Sequence, residues 1–166
     1  MIPDQNETRE RIRAENYART IRVNASLDEA YRALTQGHSA WWTACEGRFR
    51  KAGDRIKFAF PPAVSYWTFE AVKLETGARV ELECVEAYHK ILDKPGAPTT
   101  EWLGSRVIWQ IETIAKKNGA AIHFEHDGLT PNLHCYEVCE AGWNLFFVDS
   151  LKTYLDTGAG KPHRGG

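Results

Sequence analysis

The sequence has no long hydrophobic run, no excess of either charge and no CxxC pair, and each absence removes a class of function. No apolar stretch approaches the roughly 20 residues of a membrane-crossing helix, and the opening MIPDQNETRERIRAEN is polar where an export signal is apolar. The expected compartment is therefore the cytoplasm, with no membrane span. Lys and Arg number 21 and Asp and Glu 22, a formal charge of −1, so no global field draws the chain onto nucleic acid or an anionic lipid surface. The four cysteines, in a chain with an ample core and no export signal, are expected as reduced thiols. Internal repeats and low-complexity runs are also absent.

What is present is aromatic: six Trp, six Tyr and seven Phe in 166 residues, of which 43% are apolar. That is enough for a single domain with a substantial core. The chain is organised around Cys135 to Thr157, CYEVCEAGWNLFFVDSLKTYLDT. At about 100° per residue, Tyr136, Cys139, Trp143, Phe146, Phe147, Ser150, Leu151 and Tyr154 gather on one stripe, with Glu137, Asp149, Lys152 and Asp156 on the other side. This predicts an amphipathic helix roughly 30 Å long, stopped by Gly158 and Gly160 with Pro162 beyond. Its aromatic face needs a cover from the upstream chain. Leu145 and Val148 fall on the polar side, a hint of a homodimer contact or of cover by the N-terminal extension.

Residues 1–16 are charge-dense and read as a frayed extension or a solvated helix. From Tyr17 the period-two pattern YARTIRVNA predicts a strand. Ser26 and Glu29 form a capping box that opens a short helix with Leu27, Ala30, Tyr31 and Leu34 on its apolar stripe, and His38 to Thr43 reads as a helical turn wedged against a sheet. Further strands are predicted over 47–50, 55–60, 65–75, 79–88, 106–114 and 120–126. Turns at Ala52-Gly53-Asp54, Thr76-Gly77 and Lys117-Asn118-Gly119 join them. Residues 89–103, with Pro95, Gly96 and Pro98, are the longest loop and a candidate gate. Hairpin-length turns make the sheet antiparallel. The fold class is α+β, a helix-grip arrangement: a curved antiparallel sheet of about six to seven strands wrapped around the long C-terminal helix, with two short helices after the first strand. The domain is expected over 17–158, followed by a flexible tail over 159–166. A curved sheet and a straight rod cannot touch everywhere, so a space is expected between them.

Trp109 to Glu112, the run IHFEHDGLTP, then CYEVC and GWNLFFVDSLKTYLDTGAGKP carry a resemblance. They resemble the SRPBCC superfamily, also called START-like or birch-pollen-allergen-like, and within it the homologues of the activator of the heat-shock-protein-90 ATPase. The resemblance covers about residues 17 to 162. It implies a helix-grip fold with an internal cavity, used across the superfamily for lipids, hormones, polyketides and other apolar molecules, or for partner-protein contacts. It carries over no catalytic residue. Three functions are implied: binding of a small apolar or aromatic ligand in the cavity, a chaperone-associated interaction module, and a cyclase- or hydrolase-type enzyme using the same cavity.

The residues expected to face the ligand are Trp41, Glu70, Trp109, Phe124, His126, Trp143, Phe147 and Tyr154. Glu70 and His126 are the polar handles among them, each interrupting an apolar face; the competing reading is that both are satisfied structurally or that the chosen face is off by one residue. Trp67 and Trp102 are expected at the rim or on the surface. A metal site can be drawn from His123, His126, His134, Cys135 and Cys139. Against it, His123 and His126 point to opposite faces of a strand and cysteine is a routine apolar residue at helix interfaces, so neither metal nor cofactor is expected. A nucleophile, Cys84 or Cys139 activated by His126 and oriented by Glu70 or Asp127, lacks a nearby cation to lower the thiol pKa, which favours buried, inert thiols.

Overall fold

Alternation of apolar and polar residues builds the sheet of the computed structural model, which describes residues 15–114 and 119–164. Its six strands are β1 (Tyr17–Val23), β2 (Arg55–Ala59), β3 (Tyr66–Glu75), β4 (Arg79–Tyr88), β5 (Arg106–Ile114) and β6 (Gly119–Asp127). They lie in the order β1-β6-β5-β4-β3-β2, and every neighbouring pair is antiparallel. Val80, Leu82 and Cys84 of β4 are buried while Glu81 and Glu83 face out, where they pair with Arg79 and Arg106. The concave face carries the core, and α1 (Leu27–Thr35), α2 (His38–Trp41) and the C-terminal helix α3 (136–157) cover it. Ser26 and Glu29 close α1 as a capping box, each side chain taking the other residue's backbone N–H.

Helix α3 runs through Tyr136–Trp143, Asn144–Leu151 and Lys152–Thr157, and its middle section is a π-helix where uniform α-helix is expected from the sequence. The cause is the spacing of the buried side chains. Cys139, Trp143, Phe147 and Leu151 recur every fourth residue, and in an α-helix each such step drifts by about 40°. A stretch with more residues per turn cancels that drift and keeps Trp143, Phe147 and Leu151 against the sheet.

Two expected elements differ. Residues 47–50 form no strand: the Phe49 N–H donates to the Thr35 carbonyl at the end of α1, and the Arg50 and Lys51 N–H groups donate to the Asp54 carboxylate, leaving no ladder to join. Residues 159–164 are not a loose tail. Lys161 N–H donates to Ser150 Oγ, which donates to the Trp41 carbonyl; His163 bridges to Thr43, and its ring bonds the Pro61 carbonyl. A Cβ on Gly160 would strike the Ala40 carbonyl oxygen, so only glycine lets the chain pass there. The expectations for residues 1–14 and for Lys117 and Asn118 fall outside the described residues. Asn16, assigned to the extension, is buried and bonded to Asp127 and the Gly128 N–H.

The long connection between β4 and β5, residues 89–105, is a wall. It buries Ile91 and Trp102, Lys94 Nζ donates to the His134 carbonyl, and Glu101 accepts the N–H groups of His134 and Cys135 at the start of α3. Among the described residues no helix is long and apolar enough to cross a membrane. Phe147 is fully buried with its ring 4.8 Å from that of Phe124. Truncation to alanine is expected to cost about 3–5 kcal/mol, read as a lower urea midpoint with an unchanged slope.

Candidate functional site

Five of the eight expected ligand-facing residues fill the space they were expected to line. Trp41, Trp109, Phe124, His126 and Phe147 are almost completely buried and pack ring to ring: Trp41 to Trp109 at 6.2 Å, Trp109 to Phe124 at 5.6 Å, Phe124 to Trp143 at 4.7 Å. Trp143 alone of the eight reaches a pocket with apolar walls, a cavity of about 130 Å³ that opens to solvent between α3, the 89–105 connection and the ends of β2 and β3. Tyr154 lies beside a different depression, between α1 and the far end of α3, with Glu29, Arg32 and Leu155. Glu70 is the residue read on the wrong face. Its β3 neighbours Phe69 and Ala71 are buried, and Glu70 accepts from Arg55 Nε on the outer face at 2.9 Å.

The pocket walls are Trp42, Phe60, Trp67, His89, Trp102, Val138, Cys139, Gly142, Trp143 and Phe146. Trp67 and Trp102, expected at the rim or surface, are instead buried and stand 4.5 Å apart. Trp102 stacks on Trp143 at 5.8 Å with the rings 6° from parallel, and Phe60 joins Trp67 to Phe146. Sequence reasoning missed most of these walls. The available signal was helical spacing: Cys139 and Phe146 lie four and three positions from Trp143, and Gly142 lies three from Cys139 and four from Phe146. The indole N–H of Trp67 is buried with no hydrogen-bond partner among the described residues.

His126 holds two of those walls in place. The Trp143 indole N–H donates to His126 Nδ1 at 3.0 Å, so the ring proton sits on Nε2 and is donated to Ser105 Oγ at 2.9 Å; Ser105 in turn donates to the Trp102 carbonyl. The chain is saturated. Nε2 is a donor and cannot take a proton from Ser105, so this Ser-His contact is structural. Burial pushes the His126 pKa down to about 3. His38, buried beneath Trp41 and Trp42, is lowered to about 4, its burial outweighing the bond to the Leu34 carbonyl.

The thiols and remaining histidines separate. Cys84 is pushed up to about 12 by burial and donates to the Glu86 carbonyl, while the ring nitrogens of His126 bond Ser105 and Trp143. His123 lies on the outer face with Thr20 and Glu112, and His134 pairs with Glu101. Cys135 and Cys139 are joined by His89, which the sequence reading did not include; the ligating atoms of the three all lie within 4.8 Å of one another. Hydrogen bonds from Cys139 and His89 hold the Cys135 thiol below its ordinary range, while donation to Cys135 and burial raise Cys139.

The sequence profile of the Activator of Hsp90 ATPase homolog 1-like proteins matches residues 24–156. The chain belongs to that family. The resemblance expected from the C-terminal motifs is thereby established, together with the six-stranded helix-grip fold. Among solved structures, the Aha1 dimer from Colwellia psychrerythraea, determined in solution, is similar at 27% identity with a TM-score of 0.68, over 87% of this chain and 98% of that one. DynU16, a protein of the dynemicin biosynthetic locus, shares 18% identity and a TM-score of 0.63 over 88% of this chain and 49% of its own. CalU16 from Micromonospora echinospora shares 18% identity and a TM-score of 0.54 over 80% of this chain and 71% of that one. At 18% identity the last two show the fold alone. None of the curated proteins compared matches this Activator of Hsp90 ATPase homolog 1-like chain by sequence.

The two buried histidines set an acid limit on this fold. Both have native pKa values below the ordinary 6.5, so below that pH the unfolded chain takes up protons that the native state refuses. Their contribution is full above pH 6.5 and is lost as pH falls toward 4, by up to about 1.4 kcal/mol per pH unit for each histidine. Urea midpoints measured from about pH 7 to pH 5 should fall accordingly, and His126→Gln should reduce the slope by about half; a flat profile in the parent protein would contradict this.

Proposed function

We propose that the chain binds a small apolar or aromatic molecule, about one ring in size at the buried end, in the pocket walled by Trp42, Trp67, Trp102 and Trp143. The observation that carries this reading is the buried, unpartnered indole N–H of Trp67 on the wall of an otherwise apolar cavity. An unsatisfied buried donor costs about 1–3 kcal/mol, and a ligand bearing one acceptor atom relieves it. The volume of about 130 Å³ compares with the roughly 150 Å³ of an apolar cavity that admits benzene. The opening lets the rest of a longer lipid-like or polyketide-like molecule extend past the rim. The membership of DynU16 in a biosynthetic locus is compatible with small-molecule handling in this fold.

Gly142 supplies the test. It lines the pocket, and a Cβ added there meets nothing within 4 Å, so Gly142→Leu fills the cavity from a helical position without disturbing its neighbours. The parent protein titrated with phenol, indole and 2-naphthol should show a change in tryptophan fluorescence and a raised thermal midpoint for at least one of them. Gly142→Leu should lose that binding while keeping or gaining stability, since glycine in a helix costs about 1 kcal/mol relative to better formers. Equal binding by both proteins would refute the site.

A second reading concerns self-association. Val138 and Leu145 are about half exposed and lie seven positions apart, on one stripe of α3, and the Colwellia protein is a dimer. We infer that two copies meet along this stripe. Leu145→Glu should then halve the mass measured by light scattering; a parent protein that is monomeric at all accessible concentrations would end this reading.

A further inference from the structure

We propose that His89, Cys135 and Cys139 bind a single zinc(II) ion, with a fourth coordination position open to the aromatic pocket. Because their ligating atoms all lie within 4.8 Å of one another, a point exists no more than about 2.8 Å from each, against a Zn–S distance of roughly 2.3 Å. Small side-chain rotations close that difference. Two sulfurs and one imidazole nitrogen form a donor set that suits zinc, whereas calcium and magnesium require oxygen.

The surrounding structure orients these donors. Cys135 and Cys139 stand one turn apart at the start of α3, where the Cys139 N–H donates to the Cys135 carbonyl at 2.8 Å. Glu101 fixes the Cys135 backbone by accepting its N–H at 2.9 Å. His89 enters from the facing connection, its own N–H bonded to the Thr99 carbonyl at 2.7 Å and its ring 5.1 Å from that of Trp67. The Trp102 indole N–H, on the same pocket wall as Cys139, is buried with no hydrogen-bond partner among the described residues. A Cys139 thiolate formed on metal binding would offer that donor an acceptor, the kind of outer hydrogen bond by which a ligating sulfur holds its orientation.

Charge balance is met at the site. Binding forms two Zn–S bonds and one Zn–N bond, the two thiol protons leave to solvent, and the dication is neutralised by the two thiolates. His89 and Cys139 are also walls of the pocket, so the vacant fourth position of the bound ion takes a water molecule or the acceptor atom of a pocket ligand, as three-ligand zinc sites do. Metal uptake does not require that ligand, and the Gly142→Leu comparison tests the ligand without the metal, so either reading can fail alone.

The experiment is titration of the reduced full-length protein with cobalt(II) and then zinc(II) under anaerobic conditions. One equivalent of cobalt should produce a thiolate-to-cobalt charge-transfer band and the intense visible bands of a tetrahedral ion, and one equivalent of zinc should abolish both. Cys135→Ser and Cys139→Ser should lose the charge-transfer band. His89→Ala, at a half-buried position on a connection and expected to fold normally, should weaken binding and change the visible bands; Cys84→Ser should bind as the parent does. Absence of a stoichiometric signal in the parent protein overturns the proposal, as does a signal unchanged in His89→Ala or in a Cys135→Ser variant that melts cooperatively.

Discussion

The buried hydrogen-bond chain through His126 is the constraint on which the site depends. It runs from the Trp143 indole through both ring nitrogens of His126 to Ser105 and on to the Trp102 carbonyl, and so joins α3, β6 and the 89–105 connection at one point. A buried polar group is tolerated only when its hydrogen bonds are made. Here every donor and acceptor of the ring is used, which fixes the tautomer and also the separation of Trp102 and Trp143. Those two rings stack at the inner wall of the pocket. The same saturation that makes His126 unfit for acid-base chemistry makes it a rigid hinge pin for the site.

A helix gripped by a curved sheet leaves space, and this sequence fills most of it. The cluster of Trp41, Trp109, Phe124 and Phe147 occupies the centre, and the pocket at the mouth holds about 130 Å³. Aromatic side chains serve both ends of that arrangement. In the centre, each contributes large buried area and edge-to-face contact; at the mouth the same kind of ring, with the indole N–H groups of Trp67 and Trp102 unpartnered among the described residues, forms a surface on which a flat molecule can stack. The cavity small enough to hold one ring is therefore a consequence of side-chain choice within a fold that has room for more.

How much of this is legible in the sequence follows from the kind of signal involved. The strands β1, β3, β4, β5 and β6, the capping box and the long helix are local patterns, and their bounds are readable within one or two residues. Residues 47–50 are not, because their fate is decided by Asp54 and by the end of α1, contacts that no periodicity encodes. Glu70 shows the cost of a one-residue error in a strand, which moves a side chain from the core to solvent. Six of the eight candidates, Trp41, Trp109, Phe124, His126, Trp143 and Phe147, are buried, yet knowing that Trp109 faces inward says nothing about whether space is left in front of it. The pocket itself depends on His89 and Trp102 meeting α3 across a long connection, and the approach of two segments more than thirty residues apart leaves no mark on local composition.

The two ends of α3 are held by chain outside it, and this explains why the pocket can vary without the core. At its start, Glu101 accepts the N–H groups of His134 and Cys135, which lack helical partners. Toward its end, Ser150 ties Trp41 to Lys161, and Gly160 lets the tail lie against the Ala40 carbonyl. Between these clamps the π-helical section keeps Trp143, Phe147 and Leu151 aligned on the sheet. The helix cannot slide or roll to accommodate a ligand without breaking one clamp or misaligning that row. Adjustment to ligand size must therefore come from the residues that border the pocket and carry little of the core: Gly142 on the helix, His89 and Val138 at the rim. A change at Gly142 alters volume, a change at His89 alters polarity and metal affinity, and neither reaches the aromatic cluster behind Trp143.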